Sequence, residues 1–354
     1  MRVEKSEIAG KLRKLKNILN RRLDSAEVNG VLFKDNCLYA TNLEIGVKTT
    51  INSVNDNESF IIPKAAIDLI ENLPEGMIEI TSTETSVTIK SGTIKNKYQT
   101  IAPEMSAVEL YRGMRPQNVV NNNVTVSSGE FLDALDSVLY AVSENSSKEV
   151  LKGVLLDARD GELNIVGCDS FRIAWNKMKY NGTFKVIVPK TTIRQILTFG
   201  ISGNISFAWD EKSICFKSDE CEVTSRVISG DFIDYKKIFL EFPNQTIIDR
   251  HTMTECLKRA MICSDDKNKN VLKCNFEENT LFVTLHKSKS EYEEIVNLEV
   301  PVMESLEIGF NIRFLLDAMN SFMSDKLSIK LGSGLQPMII DDGELNAMVL
   351  PIKL

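Results

Sequence analysis

One short pattern returns three times along this chain of 354 residues, at an interval near one third of its length. The apolar run Gly30-Val31-Leu32-Phe33 has a counterpart at Gly153-Val154-Leu155-Leu156, 123 residues on. Pro63-Lys64-Ala65-Ala66-Ile67 is matched after 126 residues by Pro189-Lys190-Thr191-Thr192-Ile193, and a degenerate third copy, Asn311-Ile312-Arg313-Phe314-Leu315, follows after 122 more. Each Pro- or Asn-led marker opens a helix-like stretch with strand-like segments behind it. Three similar modules in one chain point to a ring, an arc or an array. The length suits two or three domains, each able to bury its own core.

The modules divide as residues 1–118, 119–244 and 245–354, with the polar Asn121-Asn122-Asn123 stretch as a linker. In the first, Ile8, Leu12, Leu15 and Leu19 at helical spacing predict a helix over Glu7–Asn20. Strands follow at Val31–Phe33, Leu38–Thr41 and Gly46–Ile51, the first two joined across Lys34-Asp35-Asn36. A second helix over Lys64–Asn72 stops near Leu73-Pro74-Glu75-Gly76, and Met77–Ser82 and Ser86–Lys90 alternate as a hairpin does. The second module repeats the order: a helix over Gly129–Ser143 capped by Ser127-Ser128, strands Val154–Ala158, Leu163–Cys168 and Phe171–Lys177, then a Pro189-led helix to Leu197 and strands at 204–209, 213–217 and 221–227. In the third, helices fall at Met253–Cys263 and Arg313–Phe322. Each module reads as two βαβββ half-units, an α+β layer architecture with helices packed on one face of antiparallel sheets.

Hydrophobic content of 43% with 26% charged residues is globular. No apolar run nears the roughly 20 residues that span a bilayer, and the charged start Met1-Arg2-Val3-Glu4-Lys5 lacks a signal-peptide core. Seven cysteines, scattered and never spaced as CxxC, fit a reduced cytoplasmic protein without a zinc knuckle.

Three segments carry a family resemblance. Gly167-Cys168-Asp169-Ser170-Phe171-Arg172-Ile173-Ala174 resembles the central T-D-x-x-R-L-A motif of the bacterial DNA polymerase III β subunit, the sliding clamp. Ser229-Gly230-Asp231-Phe232-Ile233-Asp234-Tyr235-Lys236-Lys237-Ile238 is similar to that family's D-G-x-F-P-D-Y-x-x-V segment. The C-terminus, Val349-Leu350-Pro351-Ile352-Lys353-Leu354, resembles its M-P-M-[RK]-L ending. Taken with length and module order, the resemblance covers essentially the whole chain.

It implies a DNA clamp fold: three domains per chain, and a head-to-tail homodimer closing a six-domain ring. Helices line the hole, and double-stranded DNA is held by topology, without sequence readout. The implied partners are the polymerase III catalytic subunit, the clamp loader and other proteins bearing clamp-binding peptides. No cofactor, metal or membrane is implied. A net charge of −7 is compatible with this, because a ring needs only local positive potential. Candidate DNA-facing residues on or beside the helices are Lys11, Arg13, Lys14, Arg21, Arg22 and Lys64, with Lys190, Arg194, Lys258, Arg259 and Arg313. Solvated helices carry lysines in any case, and Glu130, Asp133 and Asp136 have the wrong sign for a DNA-facing helix. Either those carboxylates point away from the hole or the lumen is patchy.

The resemblance also implies a hydrophobic cleft between the second and third domains that takes short partner peptides. Carried over by position, Leu151, Cys168, Phe171, Arg172 and Ile173 contribute from the central motif region, and Ile233, Lys237 and Ile238 from the segment after Asp231. The third domain supplies Asn311, Phe314, Leu335, Pro337, Met348, Leu350, Pro351, Ile352 and Leu354. The logic is an apolar pocket for a Leu or Phe anchor with a few polar groups setting direction. Ile233 stands where the family has Pro, Cys168 where it has Thr, and bulky Phe171 follows Ser170, so peptide preference is expected to depart from the usual Q-L-x-L-F type. On pattern alone, Val349–Leu354 reads better as a final edge strand and Phe171–Ala174 as a buried strand than as parts of a site, and it is the family resemblance that reverses this preference.

Catalysis is not expected. His251 and His286 have no metal-ligand cluster beside them, Gly332-Ser333-Gly334 is too short for a phosphate loop, and Asp265-Asp266 and Asp341-Asp342 read as loop residues. The alternative reading is a protein-binding repeat scaffold without DNA encirclement, kept open by the acidic helix at 130–136. A scaffold can be monomeric, whereas a three-domain clamp must dimerise, through the edges of its first and third domains.

Overall fold

The computed structural model describes residues 1–19, 30–54, 58–103, 115–116, 123–264, 271–286 and 291–354. Among them one order, strand–helix–three strands, occurs six times. The first copy is β1 (Arg2–Glu4), α1 (Lys5–Lys16), β2 (Gly30–Lys34), β3 (Cys37–Thr41) and β4 (Ile45–Thr50). The second is β5 (Phe60–Pro63), α2 (Lys64–Asn72), β6 (Met77–Thr83), β7 (Ser86–Ser91) and β8 (Ile94–Gln99). The third is β9 (Asn123–Ser127), α3 (Ser128–Leu139), β10 (Gly153–Arg159), β11 (Glu162–Cys168) and β12 (Arg172–Lys179), with a 3-10 turn at Glu149–Lys152 before β10. The fourth is β13 (Phe184–Pro189), α4 (Lys190–Phe199), β14 (Asn204–Trp209), β15 (Ser213–Lys217) and β16 (Cys221–Arg226). The fifth is β17 (Asn244–Asp249), α5 (Arg250–Ile262), β18 (Val271–Glu277), β19 (Thr280–His286) and β20 (Glu291–Asn297). The sixth is β21 (Leu306–Asn311), α6 (Ile312–Ser321), β22 (Lys326–Leu331), β23 (Met338–Asp341) and β24 (Leu345–Val349).

The chain forms two compact units, Met1–Gly129 with Thr191–Ser229, and Glu130–Lys190 with Gly230–Leu354. The first unit holds a four-stranded sheet, β1-β6-β7-β8, and an eight-stranded sheet, β5-β2-β3-β4-β16-β15-β14-β9. The second holds β13-β10-β11-β12-β24-β23-β22-β17 and β20-β19-β18-β21. Leading strands are exchanged between successive copies: β1 pairs with β6 while β5 pairs with β2. Each eight-stranded sheet is two four-stranded halves zipped at their edges, by β4 against β16 and by β12 against β24.

Local chemistry explains these boundaries. Pro63 is extended (φ −64°, ψ 151°) and closes β5 where α2 begins. Asn311 caps α6 by accepting the Arg313 N–H, and Asp249 caps α5 by accepting that of Thr252. The β2–β3 hairpin turns on Asp35 and Asn36, both at positive φ (53° and 56°), and β10–β11 on Asp160-Gly161 (59° and 81°). Ile8, Leu12 and Leu15 of α1 and Ile67 and Ile70 of α2 are fully buried, each side chain worth about 1.5–3 kcal/mol.

Several expected limits shift. The first helix starts at Lys5 and closes at Lys16. The expected Gly129–Ser143 helix ends at Leu139, because Ala141 and Val142 donate to Val138 and Leu139 in tighter i→i−3 turns. Phe171 lies outside β12: Ser170 sits at φ 79°, and the Asp169 carboxylate accepts the Phe171 and Arg172 N–H groups at 2.9 and 3.0 Å. Strand β8, with five exposed residues of six, adds to the predicted 77–90 hairpin. Arg21, Arg22, Asn121, Asn122, the 118/119 boundary and Asp265-Asp266 lie outside the described residues.

Candidate peptide cleft and DNA-facing helices

The motif residues of the second unit converge on Arg172. Its Nε donates to Asp169 at 2.9 Å, one terminal nitrogen to Asp317 Oδ2 at 2.6 Å and the other to the Tyr140 carbonyl at 2.9 Å. The guanidinium lies over the Phe314 ring at 4.4 Å and the Tyr140 ring at 5.2 Å. Burial works against its charge, but the hydrogen bonds to Asp317 and Asp169 outweigh this and raise its pKa. Phe171, 58% exposed, stands 6.1 Å from Phe314 and presents an aromatic surface to solvent.

The C-terminal segment closes against this cage. Ile173 lies opposite Met348, both buried. The Leu350 N–H donates to the Phe171 carbonyl at 2.9 Å, and that of Ile352 to the Gly309 carbonyl at 2.7 Å. Gly309 is required by this approach: a Cβ there would lie 2.6 Å from the Ile352 carbonyl oxygen and 2.8 Å from the Leu354 side chain. Pro351 and Ile352 are half-buried, and Leu354 is exposed. Leu335 is 77% exposed, and Pro337 half-buried. Asn311 serves as the α6 cap. Leu151 and Cys168 are buried, and burial pushes the Cys168 thiol up to about 11, so it is a wall and not a nucleophile.

The Phe232–Ile238 segment is fixed by Tyr235. Its hydroxyl donates to Asp157 at 2.9 Å, Arg159 donates to that hydroxyl at 3.3 Å, and the ring packs edge-on to Trp175 at 5.3 Å. Ile233 and Ile238 ride on this anchor half-buried, while Lys237 is exposed and paired with Asp234 at 2.8 Å. Sequence reasoning missed Asp317 and Tyr140 as parts of the Arg172 cage. Asp317, three residues beyond Phe314, shares its helix face, a signal that was available; Tyr140 follows a helix end and carried none.

The basic residues sort by partner. Lys11 bonds Glu7 at 2.6 Å and the Thr50 carbonyl at 2.9 Å, Lys14 the Phe199 carbonyl at 2.8 Å, and Lys258 bonds Glu255 at 2.8 Å. Arg259 grips Glu294, with Nε at 2.9 Å. Lys190 leaves the DNA-facing set: it is 8% exposed, with Nζ on the Val142 carbonyl at 2.6 Å and on Glu144 at 2.9 Å. Lys64 is half-buried, whereas Arg13, Arg194, Lys258 and Arg313 are exposed. In the second unit Glu130, Asp133 and Asp136 line a cavity of about 570 Å³ together with Asp317, Asp342 and Glu344. Among the described residues no helix is long and apolar enough to cross a membrane.

Six strand–helix–three-strand copies in antiparallel sheets define a protein of the DNA clamp class. Residues 125–234 match the DNA polymerase III beta subunit, central domain, and residues 239–352 its C-terminal domain. The chain belongs to the DNA polymerase III beta subunit family. It is 23% identical over 339 residues to the beta sliding clamp of Synechococcus elongatus, covering 90% of this chain and 88% of that protein. To the Pseudomonas aeruginosa beta sliding clamp it is 22% identical over 333 residues, with the same coverage. The crystal structure of the DNA polymerase III subunit beta from Pseudomonas aeruginosa superposes with a TM-score of 0.87 at 20% identity, covering 100% of both chains. That of the beta subunit from Thermotoga maritima gives 0.87 at 22% identity, covering 100% of this chain and 99% of the other.

Proposed function

We propose that the chain acts as a ring of two copies, each with domains at residues 1–118, 119–244 and 245–354, closed head to tail around duplex DNA. The protein is a DNA sliding clamp, a non-catalytic subunit that tethers the replicative polymerase for processive synthesis. The observation that carries the ring reading is the six strand–helix–three-strand copies in one chain: three pairs per chain make six modules in a dimer. Arg13, Arg194, Lys258 and Arg313 supply weak, salt-sensitive phosphate contacts of the kind sliding requires. Polymerase, clamp loader and repair proteins dock short peptides at the Phe171–Phe314 surface beside the C-terminal segment. Apolar anchors are set there against a fixed guanidinium. The cytoplasm is the proposed compartment.

The test is retention on circular against linearised DNA after loading by a cognate loader, with solution mass measured alongside. A dimer that stays on closed circles and runs off linear DNA is expected. Equal retention on both forms, or a monomer, overturns the reading.

A further inference from the structure

Helix α3 carries Glu130, Asp133 and Asp136 and has no basic residue in its last turn. The carbonyls of the turns that close it lie at the negative end of the helix dipole, so the cations that meet them come from elsewhere in the chain. Arg172 donates to the Tyr140 carbonyl at 2.9 Å. Lys190, the first residue of α4, donates to the Val142 carbonyl at 2.6 Å and pairs with Glu144 at 2.9 Å. Its side chain is buried, and neither DNA contact nor the Arg172 cage accounts for it. At the equivalent markers Lys64 is half-buried and Ile312 is apolar. The buried ammonium thus belongs to the module that carries the Arg172 motif.

Residues 140–152 connect α3 to β10, and Lys190 grips this connection near its start. Two residues before the grip, Tyr140 supplies the carbonyl and the ring, 5.2 Å away, that fix the guanidinium. One residue after it, the Ser143 N–H donates to the carbonyl of the buried Leu151 at 3.0 Å. Val142 itself packs on the strand that leads into the motif. A Cβ on Gly167 would lie 2.4 Å from the Val138 carbonyl oxygen and 2.9 Å from the Val142 side chain. Gly167 therefore sets how closely the connection approaches β11. An ammonium removed from water is costly without its acceptors, so Lys190 ties the connection to the start of α4.

We infer that Lys190 is a positioning residue of the peptide cleft: seated on the Val142 carbonyl, it holds the connection where the Tyr140 carbonyl and ring meet Arg172. It touches no peptide and acts through the guanidinium, and the inference rests on the cleft reading above. Without the ammonium, the connection loses its tie to α4 while Gly167 still lets it approach β11. The Tyr140 carbonyl then shifts along the strand, and Arg172 loses one of its three hydrogen-bond partners.

The test is fluorescence polarisation of a fluorescein-labelled Q-L-S-L-F peptide on the full chain, with urea unfolding to show that each variant is folded in the assay. Lys190→Met is expected to raise the peptide Kd about tenfold, and the milder Lys190→Gln, which keeps a donor without the charge, about fivefold. Both are then placed in an Arg172→Ala background. There each should change the Kd by less than about twofold, because the group it positions is gone, whereas general damage multiplies in both backgrounds. Lys190→Gln decides where Lys190→Met fails to fold. Parental affinity in the folded Lys190 variants, or the same loss with and without Arg172, overturns the positioning role and leaves the cleft standing. A parent that does not bind the peptide overturns the cleft reading, and the role with it.

Discussion

Replacing Arg172 with alanine removes three hydrogen bonds and two ring contacts at once. Loss of one member of a fully buried ion pair costs about 3–5 kcal/mol. Here the Arg172 side chain is 11% exposed and Asp169 14%, but Asp317 is 44% exposed and can be hydrated again. Asp169 also keeps the two backbone N–H donors of its turn. The expected cost is therefore about 2–3 kcal/mol, including about 1 kcal/mol from the guanidinium over Phe314. Urea unfolding measures it, followed through Trp175 in a Trp209→Phe background, since those are the two tryptophans of the chain and Trp209 lies in the other unit. The midpoint falls while the slope stays constant. Arg172→Lys recovers less than half, because an ammonium cannot span Asp169, Asp317 and the Tyr140 carbonyl together. A loss below about 0.5 kcal/mol for the alanine variant would refute the view that this guanidinium organises the cleft.

Two further outcomes follow from single atoms. Gly309→Ala drives a Cβ to 2.6 Å from the Ile352 carbonyl oxygen. A stability loss of about 1–2 kcal/mol and release of the C-terminal segment are expected, with partner-peptide binding by fluorescence polarisation falling at least tenfold; unchanged binding denies the segment a place in the site. Hydrogen bonds from Thr252 hold the Asp249 carboxyl below the usual carboxylate range. A depressed folded-state pKa contributes stability above the unfolded value of about 3.9 that is lost as pH falls through the folded value. Asp249→Ala should cost about 1 kcal/mol at neutral pH and progressively less below about pH 4, and an equal cost at both would remove the cap as its cause.

Much of the repeat was legible because its markers are backbone devices. Pro63 and Pro189 close strands at helix starts, and Asp35-Asn36 and Asp160-Gly161 turn hairpins at positive φ. Two outer strands were harder to read: β1 is three residues long, and β8 exposes nearly all its side chains, so neither offers a period-2 apolar signal. In the cleft, the motif named Arg172 and Phe171, and the aromatic at Phe314 came with the family pattern. The acidic partner Asp317 could have been found from its place three residues beyond Phe314 on α6, whereas the Tyr140 carbonyl depends on an approach across 32 residues of chain that no local pattern encodes. Lys190 shows the converse. Its place at the start of a helix suggested solvent, yet a carbonyl 48 residues away draws its ammonium inward.

The zipper of β4 against β16 bears on how the chain is made. Thr49 donates its hydroxyl to the carbonyl of Glu220, a partner 171 residues downstream. A ribosome adding about 5–20 residues per second delivers β4 roughly ten to thirty seconds before its mate exists. Throughout that interval β4 is a nascent edge whose Val47 and Gly46 have no strand to receive them, the kind of edge that recruits the wrong neighbour. The half-sheet of β2, β3 and β4 can close early around its own hairpins, but the eight-stranded sheet cannot. Synthesis order therefore makes the stretch between β4 and β16 a window of exposure, and slowing elongation there should cost soluble yield more than slowing it after Arg226.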